Sequence, residues 1–282
     1  MRILSRKRCV IGEGPVWNEA EGALYYVNPC EKELCRIHWS TGETTVRKLD
    51  FAASALAFGK HGELLISCGD GAFILNADGT RSPLYDTNRY TIRYGNDAKV
   101  GPDGRFYIGT QSAKRMKLGD AIDGKLYAID TRGLVTVLLD GLILSNGFDW
   151  SMDCQRFYHT DSDTHIIKEY AFDPEGPSLT FTGRELFVDG VDGFTIDQRD
   201  FLYIGCWGKG HIAIVDTNTM QITGHIPVPA RIPASCCFAG ENMDRLAVVT
   251  ANWKSDLLED PNAGFTFIHD TDTQGRPPFL FG

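Results

Sequence analysis

The feature that most constrains this chain is a motif that returns six times along it. Each copy runs through a short apolar stretch, a turn carrying Gly, Asp or Asn, and a second apolar or aromatic stretch of alternating character. The copies are GPVWNEAEGALYYVN, SALAFGKHGELLISC, NDAKVGPDGRFYIGT, NGFDWSMDCQRFYHTDS, DGFTIDQRDFLYIGC and SCCFAGENMDRLAVVTA. The apolar residues that end the first stretch are Trp17, Phe58, Val100, Trp150, Ile196 and Phe238, and successive ones lie 41, 42, 50, 46 and 42 residues apart. A period of this length with strand–turn–strand character in every copy is the sequence form of propeller blades.

The fold expected is therefore all-β, a single six-bladed β-propeller with four-stranded blades occupying residues 1–282 as one domain. The repeated hairpins supply the two inner strands of each blade, and intervening segments such as GKLYAID, HIIKEYAFD and HIAIVD supply outer ones. Residues 1–10 precede the first hairpin and are expected to pair with the last blade near GFTFIHD, closing the ring without a long open edge. No linker or charge block marks a second domain, and Asp256 to Asn262 reads as an exposed acidic loop.

A net charge of -9 and a pI near 5.3 disfavour a nucleic-acid partner, whose phosphates need clustered Lys and Arg. No stretch is apolar enough for a signal peptide or a membrane span, so the expectation is a cytoplasmic protein, monomeric or a small homo-oligomer. Eight cysteines without zinc-site spacing then read as reduced, mostly buried thiols.

The repeat alignment also tests for a site. The residues four before each aligned position are Glu13, Ser54, Asn96, Asn146, Asp192 and Ala234. Innermost strands line the central channel of a propeller, so the side chains of Glu13, Asn96, Asn146 and Asp192 are expected to converge there. Two carboxylates and amide oxygens form a hard donor set suited to calcium, magnesium or manganese, with zinc less favoured. Each residue taken singly could instead cap a turn. Four in register argue for a cation, since two unpaired carboxylates in a narrow channel repel one another and are costly to desolvate. The chain lacks a Gly-x-Ser-x-Gly elbow, which disfavours covalent serine chemistry. Among the histidines, His159 and His211 are those placed nearest the channel mouth. Trp207 could wall the pocket or fill space between blades.

With these residues in view, the chain resembles the gluconolactonase and senescence-marker-protein (regucalcin) family of six-bladed propellers. The segments that carry the likeness are Gly12 to Val27, Asn96 to Thr110, Ser145 to Ser162, and those starting at Val191 and Ser235. The resemblance implies a metal-dependent hydrolase that opens a small sugar lactone to its acid, with calcium the first choice of ion. It implies Glu13, Asn146 and Asp192 as metal ligands, Asn96 beside them on the substrate side, and Asp192 also as general base. Whether Asp192 activates the attacking water as general base or a hydroxide on the ion attacks stays open at this level.

The sequence departs from the family in two places. The usual Arg-x-Asn-Asp becomes Arg93-Tyr94-Gly95-Asn96-Asp97, with one residue more. The loop after Gly109-Thr110 carries Lys114, Arg115 and Lys117 where an acidic residue is common. Arg93 and Lys114 are accordingly candidate substrate-binding residues for an anionic sugar lactone, against the plainer reading of a solvated basic loop. The alternatives to the lactonase reading are a calcium-dependent phosphotriesterase or aryl esterase, and a non-catalytic calcium-binding or sugar-binding propeller.

Overall fold

A computed structural model describes residues 1–282. It contains six antiparallel sheets of four strands each, arranged as a six-bladed propeller. The innermost strands are Glu13–Asn18, Ala53–Phe58, Gly95–Val100, Ser145–Trp150, Val191–Ile196 and Pro233–Ala239. Blades one to five each use four consecutive strands from the axis outward. One 3₁₀ turn, Pro29–Glu31, is the only helical element.

Burial is deepest in the two strands nearest the axis and falls away in the outermost one. The inner strand of blade four, Ser145–Trp150, is buried at every residue, whereas the outermost strand of the same blade, Ser178–Phe187, is mostly exposed. The second strands, such as Ala23–Asn28 and Phe106–Thr110, are sandwiched between neighbouring blades and read as nearly continuous apolar runs, the innermost strands mix apolar with polar residues, and outer strands face solvent and keep polar residues. Between blades three and four, Trp150 packs edge-on to Tyr107 at 4.8 Å and against Phe157 at 5.1 Å. Phe148 is fully buried beside them, and burying such a side chain contributes roughly 1.5–3 kcal/mol by area transfer.

The ring closes as the sequence suggests. Blade six consists of Pro233–Ala239, Arg245–Thr250, Thr266–Asp270 and the N-terminal strand Arg2–Ser5, with Arg2 opposite Ile268 and Ile3 opposite Phe267. Two distant parts of the chain thus share one sheet, and the pairing covers what would otherwise be an exposed edge.

A second closure lies at the opposite end of the channel and has no counterpart in the repeat pattern. The C-terminal segment crosses the blades there. The Gln198 amide donates to the Gln274 carbonyl, the Gly275 amide to that of Met243, the Phe281 amide to that of Phe58 and the Gly282 amide to that of Gly104. Arg276 reaches blade four, donating to Asp149 Oδ1 at 2.6 Å and to the carbonyls of Trp150 and Ser151 at 2.8 and 3.0 Å. One strap therefore ties blades two to six together.

The eight cysteines carry no disulfide. Five are buried as expected, but Cys30, on the 3₁₀ turn, is exposed. No helix is long and apolar enough to cross a membrane.

Candidate active site

Every inner strand breaks its pairing register next to the aligned position. The shifts fall between Glu13 and Val16, Ala53 and Ala55, Gly95 and Ala98, Asn146 and Phe148, Val191 and Phe194, and Pro233 and Ser235. A bulge rotates the side chain it carries out of the regular alternation. Here the first turn of the inner strand points toward the axis while the rest of the strand still packs between blades.

Glycine makes room for this convergence. A Cβ on Gly147 would overlap the Asp192 carbonyl oxygen and the Phe194 ring. Blades four and five can therefore approach closely enough for Asn146 Nδ2 to donate to Asp192 Oδ1. Asn96 is fixed as well: its Nδ2 donates to the Ser145 carbonyl at 3.0 Å, and its own carbonyl accepts from Ser54 Oγ at 2.8 Å.

The resulting cavity has a volume of about 690 Å³. Glu13, Ser54, Asn96, Asn146 and Asp192 all line it, while Ala234, the apolar member of the aligned set, does not. Around the rim stand Arg115, Met116, Asp163, His165, Trp207 and Lys209. A volume of this size suits a small organic ligand.

Electrostatics distinguish the floor from the rest. Burial, then the charge of Asp97, pushes the Asp192 carboxyl up to about 8, opposed by the bond from Asn146 and the charge of Arg115. Burial, then the charges of Asp192 and Asp97, also holds Glu13 well above the usual carboxylate range. Neither Glu13 nor Asp192 has an ion-pair partner within 4 Å, and the side-chain oxygen of Asn146 receives no protein donor. Two like-charged carboxylates with no counter-ion, beside an amide oxygen with no protein donor, are the chemistry a divalent cation satisfies, so these three residues fit such an ion. The site does not contain three His, Cys, Asp or Glu side chains clustered as ligands. An ion here would rest on two carboxylates and an amide.

The basic residues fall differently from the sequence expectation. Arg93 and Lys114 are exposed and line no part of this cavity, whereas Tyr94, Gln111 and Arg115 do. The additional residue before Asn96 explains the first difference. Tyr94 takes a left-handed backbone conformation, φ 57°, its amide donating to the Gly69 carbonyl at 2.7 Å and its carbonyl accepting from the Gln111 amide at 2.9 Å. That turn places Tyr94, not Arg93, at the cavity wall. Gly95 follows because a Cβ there would overlap the Cys68 carbonyl.

Gln111 and Asp97 were not legible in advance. Gln111 Nε2 lies 3.4 Å from Asn96 Oδ1 and lines the same cavity, but it sits just past the inner hairpin of blade three, outside the repeated positions. Asp97 is a third carboxylate near the axis, raised by burial and partly offset by Lys99; it faces the lower chamber closed by the C-terminal strap.

His159 belongs to the core. It is stacked against Phe148 and Phe157, shares a 2.8 Å hydrogen bond with Ser145 Oγ, and burial lowers it to about 3, so it stays neutral. The same bond holds Ser145 inside blade four, away from any attacking role. His211 packs against His225 and does not line the cavity, while His165, not singled out beforehand, does. Trp207 lines it too.

The chain is similar to several known proteins. The chain is 30% identical to "Putative sugar lactone lactonase YvrE" of Bacillus subtilis, over 97% of this chain and 96% of that protein. It is 28% identical to regucalcin of Sus scrofa, over 98% and 96%. Among solved structures, a calcium-binding regucalcin from Agrobacterium tumefaciens superposes with a TM-score of 0.88 at 26% identity, covering 100% of this chain and 97% of that one. A gluconolactonase from Xanthomonas campestris shares the fold, with a TM-score of 0.75 at 21% identity over 94% and 87%. Residues 11–252 match the SMP-30/Gluconolactonase/LRE-like region, and the chain belongs to that family.

Proposed function

We propose that this protein hydrolyses a small sugar lactone to its hydroxy acid with the help of one divalent cation, calcium by preference, held by Glu13, Asn146 and Asp192. The observation that carries the reading is the meeting of two mutually repelling carboxylates without a counter-ion, Glu13 and Asp192, with Asn146 at the floor of a cavity sized for a sugar. Family membership supports lactone hydrolysis, and the regucalcin from Agrobacterium tumefaciens is a calcium-binding protein by description.

When bound, the cation supplies Lewis acidity toward the ester carbonyl. The remaining work falls to the chain. The Asn96 amide is locked by Ser145 and sits beside Gln111, so both can hydrogen-bond ring hydroxyls and orient the lactone. Trp207 walls the cavity and limits bulk water. Asp192 accepts a proton from a water whose oxygen attacks the carbonyl carbon. As the ring C–O bond breaks, the same proton passes to the departing ring oxygen, leaving a free acid and a free hydroxyl. A reactive cyclic ester with a modest barrier is within reach of a carboxylate that a bound cation would keep ionised and only weakly basic.

Proton release from a panel of lactones tests this, on protein stripped by chelator and refilled with calcium, magnesium, manganese or zinc. Turnover is expected only after refilling, and Asp192→Asn is expected to lower kcat by about 10²–10⁴-fold, the span of general-base catalysis. Full activity in chelator refutes the cation's role. Faster hydrolysis of paraoxon or aryl acetates than of any lactone transfers the site to phosphotriester or aryl ester chemistry. Calcium binding without turnover on any ester identifies a non-catalytic propeller.

A further inference from the structure

Three basic side chains line the cavity rim, and they are not equivalent. Lys209 is paired, with its Nζ 2.5 Å from Asp189 Oδ2. His165 accepts a 2.8 Å bond from the Gly190 amide at Nδ1 and lies beside Asp189. Arg115 is engaged only through Nε, 3.4 Å from Asp163 Oδ1, and its two terminal nitrogens have no protein partner. Its side chain is 46% exposed, so about half of it is withdrawn from water without a matching bond.

The loop that carries Arg115 is tied down. The Ser112 amide donates to the Ile143 carbonyl, the Ala113 amide to Asp123 Oδ1 at 2.7 Å, the Arg115 amide to Ser112 Oγ at 3.1 Å, and the Lys114 amide to the Ala121 carbonyl. The guanidinium is thus presented at the rim on an anchored turn. Its free edge offers two parallel N–H donors, the geometry that matches a carboxylate or phosphate in two bonds.

The surroundings make this cation matter. The protein carries a net charge of -9, and two further carboxylates, Asp163 and Asp189, stand at the same rim. An anion entering such a cavity is repelled unless a positive group meets it, whereas a neutral sugar has no use for a bidentate cation at the rim.

We propose that Arg115 is a specificity-determining residue that selects lactones bearing an oxyanion, a carboxylate or a phosphate ester, at the end of the sugar remote from the ring ester. The inference rests on the lactonase reading and narrows its substrate class. Arg115 binds substrate; it does not take part in proton transfer.

The test compares an aldonolactone with the aldarolactone of the same ring, in which a terminal carboxylate replaces the hydroxymethyl group, and with the phosphate ester of the same aldonolactone. All are assayed with wild-type, Arg115→Met and Arg115→Lys proteins loaded with calcium. Wild type should favour one of the anionic lactones in kcat/KM, and the better of the two distinguishes carboxylate from phosphate recognition. Arg115→Met should reduce the anionic-to-neutral ratio by roughly tenfold to a hundredfold, the worth of a charge-assisted pair. Arg115→Lys should recover part of that ratio, mainly through KM. Rising salt should erode the wild-type preference, since the pair is half exposed. Calorimetry with the open-chain dianionic product gives a readout without turnover, and Arg115→Met should weaken that binding by a similar factor. Equal loss on neutral and anionic lactones, or a wild-type enzyme that prefers the neutral one, overturns the Arg115 assignment and leaves the lactonase reading standing. Hydrolysis of none of the three, with no product binding, overturns both.

Discussion

Arg276→Met tests how the closed end of the channel is held. Arg276 is 14% exposed and donates to one oxygen of Asp149, while Lys99 Nζ binds the other at 2.9 Å and the Phe194 carbonyl at 2.6 Å. Burial by itself raises the Asp149 carboxyl, but Lys99 and Arg276 more than reverse that and hold it below the usual carboxylate range. Methionine keeps much of the apolar stem that packs beside Phe279, whose ring centroid is 4.4 Å from the guanidinium carbon, and removes only the charge and its hydrogen bonds. Breaking a buried pair costs about 3–5 kcal/mol, and the lower end applies because Lys99 remains. Unfolding entropy of about 2.1 cal/mol/K per residue gives a chain of 282 residues roughly 0.6 kcal/mol/K, so Tm should fall by about 5 °C at pH 7.

The pH dependence separates the ion cluster from simple packing. A carboxyl with a depressed folded pKa contributes stability that is present above its unfolded value, about 3.9, and lost as pH falls through the folded one. The gap between wild type and Arg276→Met should therefore be full at pH 7 and should narrow as pH falls below about 4. Thermal unfolding across that range is the assay. A gap under about 1 °C at pH 7, or one that persists unchanged at low pH, refutes the claim that the Asp149 charge fastens the strap.

Two further outcomes follow from the floor of the cavity. Because Asp192 and Glu13 have raised folded pKa values, the stability they lend is present below their unfolded range near pH 4 and is lost as pH rises through about 8. Chelated protein should thus lose stability from pH 5 to pH 9, and calcium should raise Tm more at pH 9 than at pH 5; a flat profile in chelator sinks this account. Gly147→Ala should cost about 1–3 kcal/mol and weaken calcium binding, since the new methyl group pushes blade four away from the Asp192 backbone. A denaturant midpoint and a calorimetric calcium affinity both equal to wild type would show that the close approach is unnecessary.

The architecture was readable from the order of residues because a blade is a local object. Hairpins spaced 41 to 50 residues apart, with apolar strands and Gly- or Asp-rich turns, admit few arrangements other than stacked sheets around an axis. The same periodicity marked Glu13, Asn96, Asn146 and Asp192, since equivalent positions in a ring lie at one level of the channel. Everything that depended on contacts between distant or non-repeating segments waited for the tertiary structure. The bulges beside each of the aligned positions, the left-handed Tyr94 that turns Arg93 outward, and the folded loop that brings Arg115 to the rim where Lys114 was expected leave no periodic trace. The strap that fastens Arg276 to Asp149 joins residues more than a hundred positions apart. Such pairings are selected by the packing of the whole ring, which fixes distances that a local pattern of apolar and polar residues does not encode.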